Sequence, residues 1–465
     1  MRYVSTRGRA PVLGFEGALL AGLADDGGLY VPEAWPTLAP DALASLAGRP
    51  YASLAALVLV PFVGEEIAPD ELEALVTDAY AGFDHQAVVP LVQLDSGLWL
   101  MELFHGPTLA FKDLALQVLG RLFDRALARR GERVTIVGAT SGDTGSAAIA
   151  ACRDRPTMDV VILHPKDRVS AVQRRQMTTV ASANVHNVAI EGTFDDCQAL
   201  VKRLFADAQF RHAHSLAAVN SINWVRIAAQ AAYYVAAAVA LGAPGRPLAF
   251  AVPTGNFGDV FAGYVAARMG VPIERLIVAT NANDIVARFL ATGEYRPMAV
   301  VPTLAPSMDI QLASNFERLL FELHGRDGAR VEVLMSQARG GGAFRVDANV
   351  LAAARALFSA HRLDDDGIRA TIAEVHRRTG LVIDPHTACG VAAAGAAGLG
   401  REVPVVALAT AHPAKFPDAV AAALGRPPAA PEPIARLAGL PERLDALPND
   451  LGAVQAFVRD RVGRH

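Results

Sequence analysis

Lys112 stands in the run His105-Gly106-Pro107-Thr108-Leu109-Ala110-Phe111-Lys112-Asp113 and is one of four lysines in 465 residues, the others being Lys166, Lys202 and Lys415. Lysine and arginine together number 43, so arginine supplies nearly all of the positive charge. Guanidinium stays charged and forked, which serves ion pairs and anion binding. It cannot form a Schiff base, which needs an amine able to lose its proton. A lysine kept in such a chain is a candidate for amine chemistry.

Three further segments could hold anions. Gly138-Ala139-Thr140-Ser141-Gly142-Asp143-Thr144-Gly145-Ser146 follows an apolar run and precedes an alanine-rich one. Small residues at a strand-to-helix junction let backbone N–H groups approach an anion, and the helix N-terminus favours negative charge. Hydroxyls from Thr140, Ser141 and Thr144 add donors. Pro253-Thr254-Gly255-Asn256-Phe257-Gly258-Asp259 and Asn220-Ser221-Ile222-Asn223-Trp224-Val225-Arg226 sit at similar junctions. An Arg226 guanidinium could take a phosphate bidentately while Asn220 and Ser221 donate. The 138–146 segment is neither a Walker A loop nor GxGxxG. An ordinary capped helix start explains each alone, with Asn220 or Ser221 as cap and Arg226 on a solvated face. His164 to Arg168 with Arg174 and Arg175 forms a basic island that reads as a solvated charged face. Thr410 and His412 follow a late apolar run, where strand C-termini line crevices. Asp384-Pro385-His386-Thr387 reads as a turn and helix cap.

The elements that must position these residues alternate from about residue 134. Strands are predicted at 134–137, 160–163, 185–190, 216–219, 248–252, 276–279 and 405–408. Helices are predicted from 145 onward and at 171–180, 194–208, 222–241 and 257–269. That alternation argues for α/β layers around parallel sheets. Residues 1–85 read as a mainly helical N-terminal extension, with a helix after Pro69-Asp70. Residues 86–465 hold the strand-and-helix alternation, with a smaller unit expected near 134–240 and a helical insertion near 310–380. Pro427 to Pro433 reads as a stiff linker before short helices.

A hydrophobic fraction of 52% and a charged fraction of 19% describe a well-buried chain. The net charge of -4 shows no basic stripe for nucleic acid. Cys152, Cys197 and Cys389 are scattered and odd in number, which suits the cytoplasm. No segment reads as a signal peptide or membrane span, and no histidine spacing suggests a metal site.

Taken together, these segments resemble threonine synthase, in the branch with an N-terminal extension. The matching runs include Ser5 to Gly8, His105 to Asp113, Gly138 to Ser146, His164 to Thr179, Thr193 to Cys197, Asn220 to Arg226, Thr254 to Asp259, Ser307 to Gln311, Ser314 to Arg318 and Thr410 to Pro417, in order along nearly the whole chain. The resemblance implies the tryptophan synthase β-like fold: two parallel-sheet α/β lobes with pyridoxal 5'-phosphate in the cleft between them. It implies that Lys112 is the Schiff-base lysine and acid/base. Gly255, Asn256, Phe257 and Gly258 would hold the cofactor phosphate, Thr410 the ring nitrogen, and Asp143 the position where many relatives carry an asparagine that contacts the 3′-oxygen. Ser141 and Thr144 would take the substrate carboxylate. Asn220, Ser221 and Arg226, with Asn256 at the edge, would take the substrate phosphate. The implied reaction converts O-phospho-L-homoserine and water to L-threonine and phosphate, by a monomer or homodimer. Two alternatives stay open: a phospho-lyase giving 2-oxobutyrate on the same scaffold, and a non-catalytic α/β metabolite-binding protein.

Overall fold

The structure is a computed structural model that describes residues 1–218, 221–399 and 402–462. Its residues form two compact units. One comprises Met1–His105 and Ser221–Pro428; the other comprises Gly106–Asn220 and Ala429–His465. Each unit is built on its own sheet.

The smaller unit carries a five-stranded parallel sheet in the order Asp445–Pro448, Val185–Glu191, Met158–Pro165, Val134–Ala139, Leu216–Ala217. Met158–Pro165 is buried at every position. Its apolar run Val160–Leu163 suits a parallel strand covered on both faces. Val137, Val161, Leu163, Val188 and Ile190 pack on one side against Cys197, Leu200, Leu204 and Phe457. Two helices lie close together in the same unit, Lys112–Arg130 and Asp143–Cys152. The first ends at Gly131, whose left-handed φ of 65° closes the helix with bonds back to Leu127 and Ala128. A Cβ on Gly120 would lie 2.6 Å from the Ala151 carbonyl oxygen, so this glycine permits the close crossing.

The larger unit carries a six-stranded sheet ordered Phe358–Arg362, Ile273–Thr280, Leu248–Pro253, Val405–Ala409, Leu98–Glu102, Leu91–Asp95. Only the last pair is antiparallel. Its core includes the small side chains of Ala249, Ala251, Ala279 and Ala407 together with Ile368, Ile372 and Cys389. Trp224–Ala240 is buried almost all round, as expected of a helix without a polar face.

The N-terminal region is mainly helical, with helices at Phe15–Ala21, Pro40–Ala44, Tyr51–Val63 and Pro69–Tyr80, plus a short antiparallel pair, Tyr3–Ser5 with Tyr30–Pro32. The units divide the chain elsewhere than the 134–240 lobe expected from sequence. Trp224–Ala240 belongs with the larger unit, and the C-terminal segment returns to the smaller one. The tail contributes Asp445–Pro448 as an edge strand, where only short helices were predicted.

The 310–380 region carries helices at Phe316–Leu323, Gly328–Arg339, Ala348–Leu357 and Asp365–Thr379. It also carries strands that the sequence did not announce. Phe344–Arg345 pairs with Glu294–Tyr295. Phe358–Arg362 joins the six-stranded sheet at its edge, beside Ile273–Thr280. The polar half of that strand, His361 and Arg362, hides its pattern in the sequence. No helix among the described residues is long and apolar enough to cross a membrane.

Candidate active site

The smaller unit holds the lysine. Leu109 adopts a left-handed φ of 59°, which folds the 106–111 loop back on the helix that follows it. Asp113 is buried and accepts from the Thr108 N–H at 2.8 Å and the Thr108 hydroxyl at 2.7 Å. Gln176 Nε2 donates to the Thr108 carbonyl at 2.9 Å. Lys112 is therefore launched from the first helical position by a braced loop. Its side chain is 12% exposed, and Nζ lies 3.4 Å from Asp143 Oδ2. An amine and a carboxylate meet at the N-termini of the two closely crossing helices.

Asp143 follows the first glycine loop. The N–H groups of Gly142 and Gly145 both donate to Thr140 Oγ1, at 3.0 and 2.9 Å. Part of this loop's donor capacity is thus occupied by its own threonine. Ser141 is exposed and Thr144 half-buried beside it. Gln173 Nε2 donates to Asp143 Oδ1 at 2.7 Å. In the basic island expected to be solvated, Lys166 and Arg168 are exposed, but His164 is buried and the two following arginines clamp the C-terminal segment: Arg174 pairs with Glu442 at 2.9 Å, and Arg175 donates to the Leu437 and Ala438 carbonyls.

The larger unit holds the second glycine loop. The N–H groups of Gly255, Asn256, Phe257 and Gly258 meet no acceptor among the described residues. Phe257 has a left-handed φ of 65°, a conformation that turns successive N–H groups toward one anion. That backbone is costly for a non-glycine residue, and the buried ring offsets it by packing 5.2 Å from Phe316 and 5.8 Å from Phe358, centroid to centroid. The Asn256 carbonyl is held by the Asn315 N–H at 3.0 Å and by Asn315 Nδ2 at 3.2 Å. Because the peptide is planar, fixing that carbonyl also fixes the direction of the Phe257 N–H. A Cβ on Gly255 would lie 2.8 Å from the Ser307 carbonyl oxygen. Ser307 is itself held, because its N–H donates to His386 Nε2 at 3.1 Å while His386 Nδ1 lies 2.6 Å from Asp384. Asp384 and His386 thus form the expected cap and also support this loop.

Two buried arginines in this unit behave differently. Arg318 is fully buried and donates to the Tyr30 carbonyl at 3.0 Å, to the Ile222 carbonyl at 2.7 Å and to Asn315. Arg226 is 4% exposed, yet its Nε and Nη1 meet no acceptor among the described residues. Burial pulls its proton affinity down, to a pKa of about 10. A buried cation without a partner is costly unless an anion joins it. The solvated-face expectation for Arg226 is therefore corrected. The cap of its helix is Asn223, which accepts from the Val225 N–H at 3.0 Å. Asn315 Nδ2 also donates to the Ser221 carbonyl at 3.1 Å, so one amide brings Ser221 and Asn256 together. Asn220 lies outside the described residues. Thr410 is buried at the end of Val405–Ala409, beside the strand that leads into the glycine loop. His412 accepts from the Ala414 N–H at 3.1 Å and serves as a cap.

Each unit holds groups that suit part of pyridoxal phosphate: in the larger unit a row of open N–H groups suits a phosphate, and in the smaller an amine beside a carboxylate suits a carbonyl carrier. No cluster among the described residues could hold a metal ion. Gln173 and Asn315 carry no chemical signal in the sequence; they lie inside family-like runs, and only their buried amides reveal their work.

Comparison with known proteins matches three family models: "Pyridoxal-phosphate dependent enzyme" over residues 83–338, "Threonine synthase N terminus" over 2–80 and "Threonine synthase, C-terminal" over 387–458. Threonine synthase from Pseudomonas aeruginosa is 54% identical, covering 100% of this chain and 99% of its own. The pyridoxal-phosphate-bound threonine synthase of Brucella melitensis superposes with a TM-score of 0.98 at 54% identity, covering 100% of both chains. The yeast threonine synthase structure gives 0.95 at 38% identity, covering 100% of this chain and 99% of its own. The chain belongs to the threonine synthase family of pyridoxal-phosphate-dependent enzymes.

Proposed function

We propose that the chain converts O-phospho-L-homoserine and water to L-threonine and phosphate. The observations that carry this reading are an amine–carboxylate pair, Lys112 and Asp143, a buried guanidinium, Arg226, whose Nε and Nη1 meet no acceptor among the described residues, and a row of backbone donors open among those residues. Lys112 would hold the cofactor, and its Nζ would take the proton from Cα and serve as acid and base near Cβ. Gly255, Asn256, Phe257 and Gly258 would bind the cofactor phosphate, Thr410 the ring nitrogen, and Asp143 the neighbourhood of the ring oxygen. When bound, pyridoxal phosphate supplies an electron sink for the substrate carbons. Ser141 and Thr144 would orient the substrate carboxylate. Asn220, Ser221 and Arg226, with Asn256, would hold the substrate phosphate as it leaves Cγ, before water adds at Cβ.

Residues 1–85 serve as an extension and residues 86–465 as the catalytic region. Buried, unpaired Cys152, Cys197 and Cys389 suit a reducing cytoplasm. We place the enzyme there as a monomer or homodimer acting on small molecules, without a nucleic-acid or membrane partner. The test is a product assay with O-phospho-L-homoserine: L-threonine should form in step with phosphate. Accumulation of 2-oxobutyrate instead would overturn the named reaction.

A further inference from the structure

We propose that Gln173 is a positioning residue of the reaction: its amide holds the Asp143 carboxylate turned toward the Lys112 nitrogen. The proposal rests on the reading of Lys112 given above.

Gln173 Nε2 occupies Asp143 Oδ1 at 2.7 Å, which leaves Oδ2 for Lys112 at 3.4 Å. The amide is itself oriented. An ionised Asp143 carboxylate can only accept, so the nitrogen end faces it, and Gln173 Oε1 accepts from the Ser170 hydroxyl at 3.0 Å. The Gln173 N–H donates back to Ser170 Oγ at 3.3 Å, which caps the helix Ala171–Thr178. The residue is buried. Gly142 records the same arrangement: a Cβ there would lie 2.6 Å from Gln173 Nε2, and its φ of 147° is one that only glycine adopts readily. A Cβ on Gly145 would meet Met177 Sδ at 2.9 Å. The two glycines thus let the Ala171–Thr178 helix approach until its glutamine reaches the carboxylate.

Nearby charged groups have other partners. Arg174 and Arg175 pair with Glu442, and Asp113 is held by Thr108. His164, on the adjacent strand, is buried, and burial lowers its proton affinity. In Asp143–Cys152 the only charged side chain is Asp143. An oriented carboxylate beside a nitrogen favours the protonated nitrogen.

The test loads the whole protein with pyridoxal phosphate and follows its visible band against pH in wild type, Gln173→Met, Asp143→Asn and the double variant. Asp143→Asn should lower the pH midpoint by about one unit or more, and Gln173→Met should lower it in the same direction by less. In the Asp143→Asn background, Gln173→Met should add nothing. An unmoved midpoint in a folded Gln173→Met protein, or shifts that simply add, would overturn the proposal. If Gln173→Met does not fold, the pair Asp143→Asn with Gln173→Glu restores a hydrogen bond with donor and acceptor exchanged. Its midpoint should stay low, and recovery to the wild-type value would reduce Gln173 to a structural role. A wild type with no visible band would overturn the reading of Lys112 itself.

Discussion

The two glycine-rich loops look alike in sequence but use their backbone differently. In residues 138–146, Thr140 accepts from Gly142 and Gly145, and the loop's main product is a placed carboxylate, Asp143. In residues 253–259, four successive N–H groups stay open among the described residues, and the Asn256 carbonyl is tied back by Asn315. A glycine pattern at a strand-to-helix junction therefore does not by itself identify a phosphate site. The acceptors already present around it decide.

Lys112→Arg should break the lysine side alone. Turnover should fall by about 10³-fold or more, while protection of the protein by inorganic phosphate against thermal unfolding persists. Arg318→Ala should cost about 3–5 kcal/mol of stability in denaturant titrations, because it strips the partner from several buried carbonyls. Arg226→Gln should do the opposite: affinity for inorganic phosphate falls by about 10- to 100-fold, while stability without ligand does not fall. Loss of stability comparable to Arg318→Ala would remove Arg226 from the anion site.

Asp259, in the first turn after the second loop, is buried and accepts from the Tyr233 and Tyr234 hydroxyls. Burial pushes its pKa up to about 6. The unfolded carboxyl titrates near its ordinary value of 3.8, so the folded state holds the proton longer. Stability should fall as pH rises between about 4 and 6, and Asp259→Asn should flatten that slope in thermal melts. The smallest effect belongs to the first loop: Thr140→Val should cost about 1–2 kcal/mol in urea titrations by stranding two N–H groups, with phosphate affinity unchanged.

Much of this was legible in the sequence. The strands at 158–165, 248–253 and 405–409 announce themselves through the apolar runs 160–163, 248–252 and 405–408, and Lys112 stands out by residue type. Phe358–Arg362 and Asp445–Pro448 were not legible, because edge strands with polar positions carry weak patterns. That Arg226 Nε and Nη1 meet no acceptor among the described residues was equally hidden: a sequence shows a guanidinium but not whether acceptors surround it. Gln173 and Asn315 act through buried amides, and their partners lie 30 and 59 residues away in sequence.

The most direct test of the central claim is borohydride reduction of the pyridoxal-phosphate-loaded protein followed by peptide mapping. The expected result is a stable label on the peptide containing Lys112 and none on Lys166, Lys202 or Lys415. A label on another lysine, or no label on a protein that turns over substrate, would contradict it.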